Sequence, residues 1–405
     1  MKLQVYLYVK AFSDFGTRMD MIAINAMIYI KTGSVFWLSA SMICTMIGGI
    51  LASSASGMAA DRLSRKQIMI VSDVLRGLLI LLIIPFPDPM FILIVRFASG
   101  FVSSFFQVSY TAEIPQIYGS SNVLNINAMI SRLSSISMVA GFLVGGLFYE
   151  FFGYETVLIV DAISFLVSGI ILYKLKWESE SFTVHKQMGG FFRQVAGDFY
   201  EVTRYFRLYP YVLLVFLVYF VDTFGSASHN LGFPLLAESI DAKKQAMLYG
   251  TMWSIWGAGN VLMTYFLPKI KLVQVDLYRA YLISTLFMSL GFVCIFWTTT
   301  LPIVLVCAFL TGIADACAMT LQSTIIQQCD NQIRGRIAGV SSLLNSFGFG
   351  CGFIAASLLL NSLALRSMVW LMHGFVLTAG AVTLGVYIWM SRKNTIIHGT
   401  LKKEA

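Results

Sequence analysis

Residues 57–66 read Gly57-Met58-Ala59-Ala60-Asp61-Arg62-Leu63-Ser64-Arg65-Lys66. The stretch closes an apolar run over about 34–59 and leads into another over about 67–86, each long enough to cross a bilayer. The residues that join them are charged and mostly basic, and basic loops are retained on the cytoplasmic side of a membrane. Residues 57–66 therefore read as a short inner loop between two spans. Gly57 is expected to let the helix end pack tightly. Asp61 is placed to accept from a neighbouring helix N-terminus or a basic side chain, while Arg62, Arg65 and Lys66 hold the cytoplasmic face.

The rest of the 405-residue chain has the same character. It is 58% hydrophobic and only 12% charged, with a mean hydropathy of +0.77. A water-facing surface needs about twice that charged fraction, so an ordinary soluble protein is excluded. A hydrocarbon core about 30 Å thick takes about 20 apolar residues per helix, and helices are the spanning option for apolar runs this long. Spans are predicted near 5–31, 34–59, 67–86, 89–117, 124–152, 155–175, 209–238, 246–268, 277–298, 300–328, 336–362 and 366–391. The first run passes the length of a signal-peptide core without a small-residue cleavage site, so it is expected to be a retained helix.

The net charge of +8 follows the loops. Arg62, Arg65 and Lys66 lie between spans two and three. Lys174, Lys176, Lys186, Arg193, Arg204 and Arg207 lie between six and seven, and Lys269, Lys271 and Arg279 between eight and nine. Arg334 and Arg336 follow span ten, and Arg392, Lys393, Lys402 and Lys403 form the tail. All fall on one side of a twelve-span layout, which puts both termini in the cytoplasm of a bacterial inner membrane. The charge sets orientation and touches anionic lipid heads; it does not imply nucleic acid. The six cysteines sit in or at the ends of apolar spans without paired metal-type spacing, and read as small core residues.

The segment WESESFTVHKQMGGFFRQVAGDFYEVTRYFRL, ending at Leu208, divides six spans from six. The expected organisation is an N-terminal bundle over 1–177, a cytoplasmic linker over 178–208 and a C-terminal bundle with a short tail over 209–405. At an offset of about 212 residues Phe97 and Gly100 meet Phe309 and Gly312, and Gly141-Phe142 meets Gly352-Phe353 one residue out of register. Glycines cluster in spans two (Gly48, Gly49, Gly57), five (Gly141, Gly145, Gly146) and eleven (Gly348, Gly350, Gly352), where close backbone approach supplies the packing that lipid cannot.

The loop at 57–66 resembles the signature G-x-x-x-D-R-x-G-R-R/K of the major facilitator superfamily, with Ser64 where that family usually carries Gly. Leu93-Ile94-Val95-Arg96-Phe97-Ala98-Ser99-Gly100 is similar to the same family's pattern of an Arg followed four residues later by Gly. Ala112-Glu113-Ile114-Pro115-Gln116, Asn125, Asn127, Ala128, Asp161-Ala162-Ile163-Ser164-Phe165 and Arg334-Gly335-Arg336 resemble its macrolide-efflux and secretion-effector branch. The resemblance implies an all-α integral membrane fold of about twelve transmembrane helices in two pseudo-symmetric six-helix bundles. It also implies an efflux permease. The branch exports macrolides, siderophores and other secondary metabolites, so it does not name the substrate.

Ionisable residues inside spans are the candidates for coupling. Asp14 and Arg18 share a face of span one, as do Asp73 and Arg76 of span three, and either pair can serve for coupling or simply neutralise itself. Arg96 is expected to face a cavity or a carboxylate, or to reach the outer interface. Asp222 and Asp315 have no basic residue within a helical turn, and burial of such a carboxylate favours its protonated form. Phe105, Tyr110, Tyr219, Phe224, Trp253 and Trp256 are candidates for the solute path. His229 is either a solute contact or a hydrogen-bonded interior residue.

No metal site, cofactor or nucleotide loop of the form G-x-x-x-x-G-K-[ST] is visible, so the energy source is expected to be the proton gradient. The expected function is proton-coupled export of an amphiphilic antibiotic, peptide toxin, siderophore or similar metabolite by a monomer, for resistance or self-immunity. The alternatives are an uptake permease of the same fold and an integral-membrane lipid-modifying enzyme. The last would need a nucleophile and base together, and the four histidines are scattered along the chain.

Overall fold

The computed structural model describes residues 5–118, 123–176, 191–330 and 333–401. Lys186, Lys402 and Lys403 lie outside the described residues, as do the side chains of Asp61, Pro115, Asn125, Asn127, Ala128, Arg193 and Lys393. The described chain is helical: α1 (Val5–Thr32), α2 (Val35–Arg62), α3 (Arg65–Leu81), α4 (Pro89–Tyr118), α5 (Val123–Lys174), α6 (Phe191–Leu208), α7 (Pro210–Ile240), α8 (Gln245–Phe266), α9 (Lys271–Val275), α10 (Leu277–Ile295), α11 (Leu301–Gln327), α12 (Arg334–Leu359) and α13 (Leu365–Leu401).

Local chemistry sets the helix ends. Pro89 and Pro210 open α4 and α7, where a missing N–H costs nothing. Ser64 caps α3 by accepting from the Gln67 amide, and Asp276 caps α10 by accepting from the Arg279 amide at 2.9 Å. Inside α5, Gly153 takes φ 81°, which breaks a run of 52 residues into two lengths, each enough for a bilayer.

Eight described segments are long and apolar enough to cross a membrane, and the longest, Met129–Lys174, contains that break. The more polar α1, α3 and α8 complete a twelve-span layout. Two of these three carry buried charges, Asp20 in α1 and Asp73 in α3. Apolar side chains such as Leu51, Phe151, Trp370 and Trp389 remain exposed, as lipid-facing surface requires. The predicted linker is a helix over its second part: α6 supplies Val202 to the core around Phe216, Tyr281 and Leu321.

The chain forms two compact units. One comprises Met1–Lys186 with Phe233–Gly257, the other Gln187–Gly232 with Ala258–Ala405. Certain glycine contacts of one recur in the other. In the first, Gly48 of α2 lies against the Phe97 carbonyl and Phe101 amide of α4; in the second, Gly259 of α8 lies against the Phe309 carbonyl and Ile313 amide of α11. Gly141 of α5 meets the Phe15 carbonyl of α1, and Gly352 of α12 meets the Phe224 carbonyl of α7. A side chain at any of these four glycines would strike backbone, so the weak sequence repeat survives where helices touch most closely. Gly57 and Gly350 depart from expectation: a Cβ at either would meet nothing within 4 Å. Gly57 therefore does not serve close packing here.

Candidate functional site

Several charged side chains of the first unit are paired within it. Arg96 of α4 pairs with buried Asp20 of α1 at 3.7 Å, and Asp161 of α5 lies within hydrogen-bonding reach of Asp20. Asp73 and Arg76 of α3 pair at 3.5 Å, with the guanidinium of Arg76 stacked 3.9 Å from the Phe165 ring centroid. The expected partnership of Asp14 with Arg18 is not made. Asp14 pairs instead with Lys10, one turn earlier, while Arg18 lies over the Phe142 ring at 5.8 Å. Both directions of an i,i+4 pair were open on the helix, and packing of α5 against α1 through Gly141 draws Arg18 away.

The second unit is different. Asp222 of α7 and Asp315 of α11, far apart in sequence, line one pocket with Tyr219, Tyr281, Ala318, Met319 and Gln322. Asn260 donates to Asp315 Oδ2 at 3.2 Å; Asp222 Oδ1 is buried without a hydrogen-bond partner. Tyr219 donates to Asn345 Oδ1 at 3.0 Å, and Gln322 to Ser341 at 3.0 Å, so the pocket's polar rim is tied to α12. The Lys and Arg residues of α7, α8, α10, α11 and α12 stand only at helix ends, as Arg279, Arg334 and Arg336.

His229 is engaged away from that pocket. Ser289 of α10 donates to the His373 carbonyl at 3.1 Å, so its oxygen accepts from His373 Nδ1–H at 2.9 Å. His373 Nε2 then accepts from His229 Nδ1–H at 3.2 Å, and His229 stacks on Phe292 at 3.6 Å. Histidines that looked scattered in sequence thus meet between α7 and α13. The register that carries Phe15 onto Phe224 carries Asp20 onto His229, and the register of the later helices carries Asp161 onto His373. The carboxyl pair of one unit and the imidazole pair of the other occupy equivalent places.

The aromatic candidates for a solute path have separate surroundings within their own units. Tyr219 lines the carboxylate pocket and Phe224 packs at Gly352. Trp253 and Trp256 stand at right angles, 5.0 Å apart, with Trp253 also against Phe142 and Phe233. Tyr110 is core, packed on Tyr6 and Phe106. Phe105 lines an open apolar groove of about 420 Å³ between α2, α3 and α4, beside the exposed side chains of Leu63, Val71 and Leu75.

In the loop, Arg65 is buried and donates to the Ala60 carbonyl at 2.9 Å, which fastens the end of α2 to the start of α3. Lys66 reaches the Leu175 carbonyl at 2.5 Å, capping the C-terminus of α5. Arg62 is exposed. Sequence reasoning missed Lys10, Asp20 and Asn260; Asp20 carried a signal, being a second acid of span one, followed by an apolar run.

Comparison with known proteins agrees with this architecture. Residues 10–273 and 215–403 match the Major Facilitator Superfamily. An uncharacterized MFS-type transporter, YvqJ of Bacillus subtilis (strain 168), is 23% identical over 352 residues, 83% of this chain and 81% of its own. The putative bacilysin exporter BacE of Bacillus amyloliquefaciens is 26% identical over 144 residues, 35% of this chain and 36% of its own. Among solved structures, the nucleoside transporter NupG superimposes with a TM-score of 0.76 at 14% identity, over 96% of this chain and 99% of its own. A bacterial homologue of the iron transporter ferroportin gives 0.72 at 14% identity, over 95% and 98%. The membrane-enzyme alternative falls with this family of transporters, and the chain belongs to the Major Facilitator Superfamily.

Proposed function

We propose that this chain is a proton-coupled exporter of an amphiphilic antibiotic, peptide toxin, siderophore or similar metabolite, acting as a monomer in the bacterial inner membrane. The observation that carries the coupling is the pair Asp222 and Asp315, two carboxyl groups in one interior pocket whose lining, among the described residues, includes no Lys or Arg. Burial of unpaired charge is costly in lipid, so such groups bind a proton or another cation and release it when water reaches them. One elementary charge moving through about 100 mV supplies about 2.3 kcal/mol, enough to sustain about a 40-fold solute gradient.

Export as the direction is supported by the partial match to a putative bacilysin exporter. The same fold also works in uptake, because alternating access is reversible. Expression in a pump-deficient bacterium, with a panel of antibiotics and metabolites, separates the two. Export predicts lower accumulation of one or more compounds, reversed by a protonophore and insensitive to ATP depletion while the gradient is held. Raised accumulation of a nutrient instead identifies uptake, and accumulation unaffected by the protonophore removes proton coupling.

A further inference from the structure

The transporter reading leaves open what the carboxylate pocket recognises in a solute. Three acceptors converge there. Asp222 Oδ1 has no hydrogen-bond partner, Asp315 has one oxygen held by Asn260, and the Tyr281 hydroxyl, on a side chain only 2% exposed, has no partner either. The space between them is about 10 Å³, room for about one water molecule. An ammonium group is of that size, offers three N–H donors and carries the charge that two carboxylates lack.

The pocket is not required by the scaffold. The repeat registers that superimpose Gly48 on Gly259 and Gly141 on Gly352 place Ser13 and Ser103 of the first unit where Asp222 and Asp315 stand in the second. Helices α1 and α4 hold two serines at those places, so packing alone does not call for carboxylates. A bare metal cation is a poorer occupant. Transporter sodium sites draw on carbonyls freed by unwound helices, whereas α7 and α11 run unbroken past Asp222 and Asp315. Among the described residues no group of three or more His, Cys, Asp or Glu is placed to hold a metal.

We propose that Asp222, Asp315 and Tyr281 seat a primary ammonium group of the transported solute. This rests on the transporter reading and narrows its cargo to amine-bearing compounds. The test uses the full chain in nanodiscs of deuterated lipid, with n-butylammonium chloride as probe and 1-butanol and sodium chloride as controls, followed by saturation-transfer NMR. Wild type is expected to bind butylammonium at least about tenfold more tightly than butanol, with sodium failing to compete at equal concentration. Asp222→Asn and Asp315→Asn should each weaken binding about tenfold, and Tyr281→Phe a few-fold.

Butylammonium binding no better than butanol overturns the site, and this comparison needs no variant to fold. Equal competition by sodium overturns it in favour of a metal-ion site, and unchanged affinity in folded Asp222→Asn overturns it outright. A protein that exports panel compounds yet ignores butylammonium refutes the ammonium seat and leaves the exporter reading. One that binds butylammonium through these residues but exports nothing upholds the seat and refutes export.

Discussion

Asp20 of α1 and Arg96 of α4 face each other at 3.7 Å inside the first unit, 5% exposed in the case of Asp20, and tie together two helices distant in sequence. Removing one partner leaves an uncompensated interior charge, which costs about 3–5 kcal/mol. Arg96→Leu is expected to lower the melting temperature of the detergent-purified protein sharply. Asp20→Asn combined with Arg96→Leu should recover most of the loss, because both charges of the pair are then removed. Equal melting of the single and double variants would show that the pair is not coupled.

The glycine contacts predict a sharp contrast between neighbours on one helix. A Cβ at Gly48 would strike the backbone of α4, so Gly48→Ala should destabilise by about 1–3 kcal/mol. Gly57→Ala meets open space and should melt like wild type, or slightly higher, since alanine is the better helix former. Thermal melts of the two variants settle the difference. If Gly57→Ala nonetheless slows transport, the residue matters in another conformation of the cycle.

Ser289 sets the tautomers of the histidine pair through its bond to the His373 carbonyl. Ser289→Ala leaves the buried Nδ1–H of His373 without its acceptor, at a cost of about 1–3 kcal/mol. The ¹⁵N spectrum of selectively labelled wild type is expected to report Nδ1-protonated imidazoles at both His229 and His373. An Nε2-protonated His373 would refute the relay.

In the loop, Asp61 and Arg62 stand at the C-terminal end of α2, which the proposed orientation puts at the inner gate, where helix ends separate on opening. Asp61→Asn is expected to lower turnover while leaving solute binding largely intact. Normal turnover in a well-expressed variant would reduce the motif to a charged loop. Arg65, which fastens α2 to α3 through the Ala60 carbonyl, should instead cost stability when replaced by Ala.

The Lys/Arg distribution predicts that the region near Lys186 and the tail near Lys403 share the cytoplasm with the N-terminus. Reporter fusions after each position measure it directly. A periplasmic signal from either would overturn the span count or the orientation.

Hydrophobic run length alone determined that this chain spans a membrane about twelve times, because a bilayer imposes one length on every helix and apolar composition records it. The loop at 57–66 carried the family resemblance, since its charges must stay outside lipid. Pairing was a different matter. Helical spacing offered Asp14 both Lys10 and Arg18, and only packing of α5 on α1 through Gly141 decided between them. Nothing in the spacing of Asp222 and Asp315, or of His229 and His373, announces that each pair meets. In lipid, the period of a helix sets which face is polar, but which polar faces converge depends on how the helices pack, and that is settled by contacts between residues far apart in the sequence.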